Sequence, residues 1–526
     1  MTTKRIYRWE VAEALSEEEE AICQRLKRTG KLFAFLRRQR HRLFDEAFEA
    51  ELSGMYADWP RGTPPVPPAL LAMVTLLQAY EQKSDAMAVE DAVFDRRWQM
   101  VLGCLGQSKA PFSQGVLVDF RYRLQKAELD RRLLEKTVEL AKESGEFGFK
   151  SLKVALDSAP LWGAGRVEDT FNLLGHALDI LLRCVVDVSG RPREQIVQET
   201  GLSVIEGGSI KAQLDIDWDD PAAQQQALTK IMNEIESLRR WVDTHLPVEG
   251  AQPPIREALA LLEQLLAQDV EPDPNGGGYR VKRGTARDRR ISISDGEMRH
   301  GRKSSSRVIN GYKRHIAREL DHGLILAVAV RPANEPEHAA TAVLRPQVES
   351  YGTVEGLFID RGYLAAEWTA ELHGRGKRIV AKPWSAANKG GTFGKERFAI
   401  DLVAHKVVCP AGCEAPIRGG HAQFAAGECG PCDLRAQCTT AKSGKGRTLT
   451  IHRHEAMLLE LRQRQRTPEG REELRERVAV EHGLAHVCRL QGPRARYLGV
   501  RKNEFDLRRA ACIVNLHAAY RAQEAA

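Results

Sequence analysis

No apolar run in this chain approaches the ~18 residues that a membrane-spanning helix needs. The longest strand-like one is Leu324 to Val330, so no helical membrane span is expected. Nor is there a leader-like start: Met1-Thr2-Thr3-Lys4-Arg5 runs into Glu10 and Glu18-Glu19-Glu20 without an apolar segment, so no signal peptide is expected and the chain is placed in the cytoplasm. Charge of one sign is not in large excess either, at +7 over 526 residues and a pI near 8.8. At 43% hydrophobic and 28% charged the composition is that of an ordinary globular protein. At ~100–200 residues per domain the length allows about two to four domains with ample core.

The charge is unevenly placed. Between Arg280 and Arg318 thirteen Lys and Arg face three acids, an excess of ten. Between Asp215 and Asp273 thirteen acids face four bases. Segregation of this kind gives at least one face suited to phosphate backbones. The alternative is a solvated loop, which Gly284, Gly301 and Ser304-Ser305-Ser306 favour.

Three carboxylates stand out. Leu152-Lys153-Val154-Ala155-Leu156 alternates as a half-buried strand, and Ser158-Ala159-Pro160 is expected to break it, leaving Asp157 at its carboxyl end. Gly356-Leu357-Phe358-Ile359 repeats the arrangement, with Asp360 before the turn Arg361-Gly362-Tyr363. Functional groups in α/β sheets gather at such ends, although Asp is also a common turn residue. The third is Glu481: Leu474, Val478, Ala485 and Cys488 step along one helix face, and Glu481 fills the missing position. A carboxylate aimed at a core needs a compensating cation or metal; alternatively, Glu481 pairs with Arg477 one turn back on a helix whose buried face lies elsewhere. An all-oxygen set of two aspartates and a glutamate suits Mg²⁺ or Mn²⁺. Two such ions ~3.5–4 Å apart serve phosphoryl transfer.

Along the chain, residues 1–145 read as all-helical. Pro64-Pro65-Val66-Pro67-Pro68 precedes a helix over 69–80; Ser84 caps one through Trp98, and Ser113 one carrying Val116, Phe120 and Leu124. With Arg121, Arg123, Arg131 and Arg132 these suit a DNA-binding or dimerising helical domain. Residues 146–526 form the rest. The 203 residues separating Asp157 from Asp360 require an insertion, placed at about 200–278. In it Leu228, Ile231, Met232, Ile235, Leu238, Trp241 and Val242 trace one helix face and Ile255 to Leu266 another. Pro272-Asp273-Pro274-Asn275-Gly276-Gly277-Gly278 ends it as a linker. Gly311 to Leu320 and Leu324 to Val330, joined by Asp321-His322-Gly323, read as a hairpin, and Ile379-Val380-Ala381 as a further strand.

A second insertion, at about 400–450, holds Cys409, Cys413, Cys429, Cys432 and Cys438, half of the ten cysteines. The cytoplasm disfavours disulfides, so the cluster suggests a metal. The spacing permits a structural four-thiolate Zn²⁺ site with one cysteine spare; the alternative is reduced, partly buried thiols. Cys23, Cys104, Cys184, Cys488 and Cys512 are scattered and read as small core residues.

These motifs together resemble the DDE transposases of bacterial insertion sequences, in the group with an InsH-type N-terminal domain and a split DDE domain. Asp157-Ser158-Ala159-Pro160-Leu161-Trp162-Gly163-Ala164-Gly165 resembles the first-aspartate block and Asp360-Arg361-Gly362-Tyr363 the second. Of the family signature Tyr-x2-Arg-x3-Glu-x6-Lys, Arg477 and Glu481 match, Leu474 replaces the tyrosine and Cys488 the lysine, with Arg489 one residue late. The tail Gly492 to Lys502 and Asn515-Leu516 is also similar. The likeness runs from about Pro64 to Leu516.

The resemblance implies an α/β fold: a ribonuclease-H-like mixed sheet with flanking helices, preceded by the helical N-terminal domain and interrupted by insertions. It implies two-metal cleavage of insertion-sequence ends and their joining to target DNA, with Asp157, Asp360 and Glu481 binding two Mg²⁺ or Mn²⁺ ions. Double-stranded DNA would be the partner, a homodimer the unit of the synaptic complex, and the bacterial nucleoid the location. Arg477, Arg287, Arg289, Arg290, Arg494, Arg496, Arg501 and Lys502 are the expected DNA contacts. Tyr497 either stacks on a flipped base or packs in the core. A nuclease without strand transfer, a domesticated DNA-binding protein and a zinc-organised interaction protein are the alternatives.

Overall fold

A computed structural model describes residues 5–27, 30–57, 63–144, 150–207, 209–274, 276, 278–302, 307–384 and 391–525. The 145/146 boundary, Asn275, Gly277, Lys303 and Ser304-Ser305-Ser306 lie outside them.

The N-terminal region is helical, as its capping residues dictate. Pro68 opens the helix Pro68–Glu81, where its missing N–H is no loss. Ser84 accepts from Met87 N and Ser113 from Val116 N, each starting a helix. The helix from Ser84 stops at Phe94, short of Trp98: Asp95 caps a new helix, Arg96–Leu102, by accepting from Arg97 N.

β1 (Ser151–Trp162) is the central strand. Helices then begin at Thr170, earlier than the expected insertion at about 200, and continue to Asp269. Phe171, Leu174, Leu181, Ile231, Leu238 and Leu262 belong to a separate core. A short hairpin, β2 (Val270–Pro272) with β3 (Tyr279–Val281), closes this lobe. At its neck Thr170 Oγ1 donates to Asp269, which also receives two bonds from Arg289.

The main sheet resumes with β4 (Arg299–Arg302), β5 (Val308–Glu319), β6 (Ile325–Pro332), β7 (Thr353–Ile359) and β8 (Arg378–Ala381). The expected hairpin is β5–β6, antiparallel. β1 pairs antiparallel with β5 and parallel with β7, and β7 parallel with β8, so the sheet is mixed, in the order β4-β5-β1-β7-β8 with β6 also on β5. The cysteine-rich segment is a second sheet in sequential antiparallel order: β9 (Ala399–Asp401), β10 (Lys406–Val408), β11 (Glu414–Arg418), β12 (His421–Gln423) and β13 (Thr448–Thr450).

The helical N-terminal region and the main sheet share one hydrophobic core. The C-terminal helix Val500–Ala525 packs against Leu129–Ser144, Pro68–Glu81 and β6. Its buried Asn515 bonds both Ile325 N and Ile325 O, and also Thr137 Oγ1. Buried Asp130 accepts from Arg501 and Arg508 of the same helix. Such polar pairs inside a core hold a defined arrangement, because breaking one leaves a buried group unsatisfied.

Candidate active site and its surroundings

Asp157 is not at the end of its strand. β1 runs on through Pro160 to Trp162 because β5 pairs with it as far as Trp162↔Gly311. Only the other edge is abandoned: the parallel ladder with β7 ends at Ala155↔Phe358. Two residues further along each strand stand Asp157 and Asp360, level with each other just beyond that ladder. Asp360 follows the last residue of β7 and precedes the turn Arg361–Tyr363.

Glu481 lies within electrostatic reach of Asp157, on a helix face other than the expected one. The helix breaks at Arg477, and Val478–Gln491 buries Val480, Leu484, Val487 and Leu490. Val478 is 44% exposed, so the stripe from Leu474 to Cys488 is not a core face. The Glu481 side chain is 51% exposed and pairs with Arg477 at 2.9 Å. The helix packs against β1, and Arg318 of β5 donates to Ala479 O at its start. Gly483 lets that arginine pass, since a Cβ there would lie 2.8 Å from Arg318 Cδ.

The electrostatics join the three. Burial pushes the Asp157 carboxyl up to about 6; the Ser158 N–H and Arg477 oppose this, while Asp360 and Glu481 add to it. A half-buried carboxyl facing two others without enough positive charge is the environment in which one proton is retained.

Behind the aspartates lies a polar wall that sequence reasoning missed. Asp157 accepts from Ser158 N at 2.8 Å, and Ser158 Oγ donates to Glu337 at 2.5 Å. A Cβ on Gly362 would sit 1.8 Å from Glu337 Oε2, so any side chain there would displace the Glu337 carboxylate. Tyr363, fully buried, shares a hydrogen bond of 2.7 Å between its hydroxyl and His315 Nδ1. Burial, with Lys313 and Arg331, holds the ring neutral by lowering its pKa to about 3. Burial, with Glu337, Asp157 and Asp360, raises the Tyr363 hydroxyl. The one local signal was Glu337 in the loop after β6; its nearness to Ser158 depends on sheet pairing.

The expected DNA contacts divide. Arg287, Arg494, Arg496 and Lys502 are exposed, and Arg494 Nε donates to Gly163 O. Arg289 is engaged with Asp269, and Arg290 with the carbonyls of Ser292 and Ile293. Arg501 holds Asp130 and Gln125 O. Tyr497 is half-buried and hydrogen-bonds Arg509, a buried arginine. In the N-terminal region Arg121 forks onto Asp85 and Arg132 onto Glu139 and Glu51. Asp85 and Glu51 are distant in sequence from the arginines they meet, which charge counting along the chain does not see.

Among the described residues no three His, Cys, Asp or Glu side chains are gathered closely enough to hold an ion. No helix among them is long and apolar enough to cross a membrane. Residues 409–519 match the family model described as Transposase DDE domain, and residues 24–123 that of the Transposase domain (DUF772). The chain carries transposase domains. The DDE match contains Glu481, Arg477 and the cysteines, while Asp157 and Asp360 lie before it. The curated proteins and the solved structures hold no match.

Proposed function

We propose that this chain is a DNA transposase that cleaves insertion-sequence ends and joins them to target DNA through Asp157, Asp360 and Glu481. The observation that carries the reading is the level placement of Asp157 and Asp360 on adjacent parallel strands, with the charge of Glu481 reaching Asp157. The transposase domains support it. The strand sequence supports a ribonuclease-H-like core: one central strand, an antiparallel hairpin on one side and two parallel strands on the other.

The donor set fits a hard divalent cation. It is all oxygen, and a carboxyl driven to about 6 marks a place short of positive charge. Asp157 and Asp360 would hold the ions, joined by Glu481 once it leaves Arg477. Bound there, a pair of Mg²⁺ ions supplies activation of the attacking oxygen and stabilisation of the leaving one. The chain's own contribution is placement. Ser158 N fixes the Asp157 carboxylate, and the Glu337–Ser158 bond and the Tyr363–His315 bond brace the loops on either side. Arg477, freed from Glu481, is placed to meet a phosphate. Arg287, Arg494, Arg496 and Lys502 are the exposed cations that would follow the DNA backbone.

The test uses purified full-length protein and labelled duplexes from the two ends of the element. Asp157→Asn, Asp360→Asn and Glu481→Gln should each abolish Mg²⁺-dependent cleavage while DNA binding persists. Full cleavage by any one of them removes that residue from the site, and cleavage without joined products replaces the transposase reading with a nuclease.

A further inference from the structure

The cysteine-rich lobe has too little core for its size. Between Phe393 and Ile451 its buried apolar side chains are Phe398, Val407, Ala415, Ala422, Phe424, Leu449 and Ile451. Lobes of this kind need a staple such as disulfides or a metal. The cysteines here are free thiols.

All five line one cavity, together with Phe393, Phe398, Phe424, Arg435 and Arg447. Cys409 follows β10 and Cys413 precedes β11, in a turn closed by Cys409 N to Cys413 O and Gly412 N to Cys409 O, both 2.9 Å. Gly412 takes φ +84° there, a conformation glycine adopts without strain. Cys429 ends the short helix Ala426–Cys429, Cys432 follows after Gly430 and Pro431, and Cys438 ends Arg435–Cys438. A hairpin turn therefore faces two short helical turns across the cavity. Cys438 lies within electrostatic reach of Cys409, Cys429 and Cys432, and Cys413 is hydrogen-bonded to Cys409 and within electrostatic reach of Cys432. Four thiolates on a divalent ion leave two negative charges, and the two arginines on the cavity wall are of the sign to offset them. Arg435 also donates to Cys429 O, Ala441 O and Lys442 O, fixing the loop that carries the thiols.

We propose that four thiols, Cys429, Cys432, Cys438 and one of the hairpin pair Cys409 and Cys413, bind one structural Zn²⁺ ion that staples this lobe. The thiols surround the cavity without being gathered to coordination distance, so the ion draws them in. Zn²⁺ is favoured over Mg²⁺ because the donors are sulfur.

The test is metal content of the full-length chain purified without chelator, followed by replacement with Co²⁺. About one zinc per chain is expected, and Co²⁺ should give the thiolate charge-transfer and tetrahedral bands of a four-sulfur site. Cys429→Ser, Cys432→Ser and Cys438→Ser should each lose most of the zinc, and of Cys409→Ser and Cys413→Ser one should lose it and the other keep it. The Co²⁺ spectrum of the unaltered chain decides the matter even if the serine variants are insoluble. Absence of both zinc and the cobalt bands overturns the proposal, as does iron with acid-labile sulfide. Retention of zinc in Cys429→Ser, Cys432→Ser or Cys438→Ser overturns the ligand set.

Discussion

Replacing Asp157 with asparagine should abolish cleavage and, without metal, make the protein more stable. The carboxyl titrates at about 6 in place of 3.8, so the folded chain binds its proton more tightly than the unfolded chain does. Stability is therefore lost as pH rises between these two values, and the loss is complete above the higher one. At 1.36 kcal/mol per unit the cost is ~3 kcal/mol at about pH 8, falling to about 1 kcal/mol at about pH 4.5. Asparagine has nothing to ionise, and its carbonyl still accepts from Ser158 N. Thermal or urea unfolding of Asp157→Asn beside the unaltered chain, across that pH range in the presence of EDTA, should show the variant ahead by a margin that grows with pH. Added Mg²⁺ should then stabilise the unaltered chain and leave the variant where it was, since only an ion that binds the folded form shifts the balance. A variant less stable at high pH, or a margin independent of pH, would refute the account of Asp157 as an uncompensated buried carboxylate.

Arg287→Ala should lower the salt slope of DNA binding by ~0.9, as expected for one phosphate contact; an unchanged slope takes Arg287 off the DNA. Arg289→Ala should instead cost ~3–5 kcal/mol by stranding Asp269 at the neck of the helical lobe, and an unfolding midpoint equal to that of the unaltered chain would contradict it. Glu337→Gln should slow cleavage and raise the Mg²⁺ concentration needed for half-maximal rate while DNA affinity and unfolding midpoint stay put. An unaltered Mg²⁺ dependence would show that the Glu337–Ser158 bond does not position the aspartates.

Much of the framework was legible from local pattern. Alternation marked β1, and short apolar runs bounded by turn residues marked β7 and the β5–β6 hairpin. Ser84 and Ser113 marked helix starts because a side-chain oxygen must meet an orphan N–H. The sequence also determined that Asp157, Asp360 and Glu481 are set apart from their neighbours and that five cysteines fall close together. Tertiary structure decided how these groups are used. Asp157 stands free because β7 leaves β1 at Ala155 while β5 continues to Trp162; that depends on two strands far away in the chain. Glu481 is solvent-facing and paired because the helix restarts after Arg477 and turns Leu484 and Val487 inward. Arg289, Arg290 and Arg501 look like phosphate ligands in one dimension, yet Asp269, the Ser292 and Ile293 carbonyls, and Asp130 had taken them. A buried cation needs a partner wherever the fold brings one, and a run of sequence records the cation without recording which carboxylate will come to meet it.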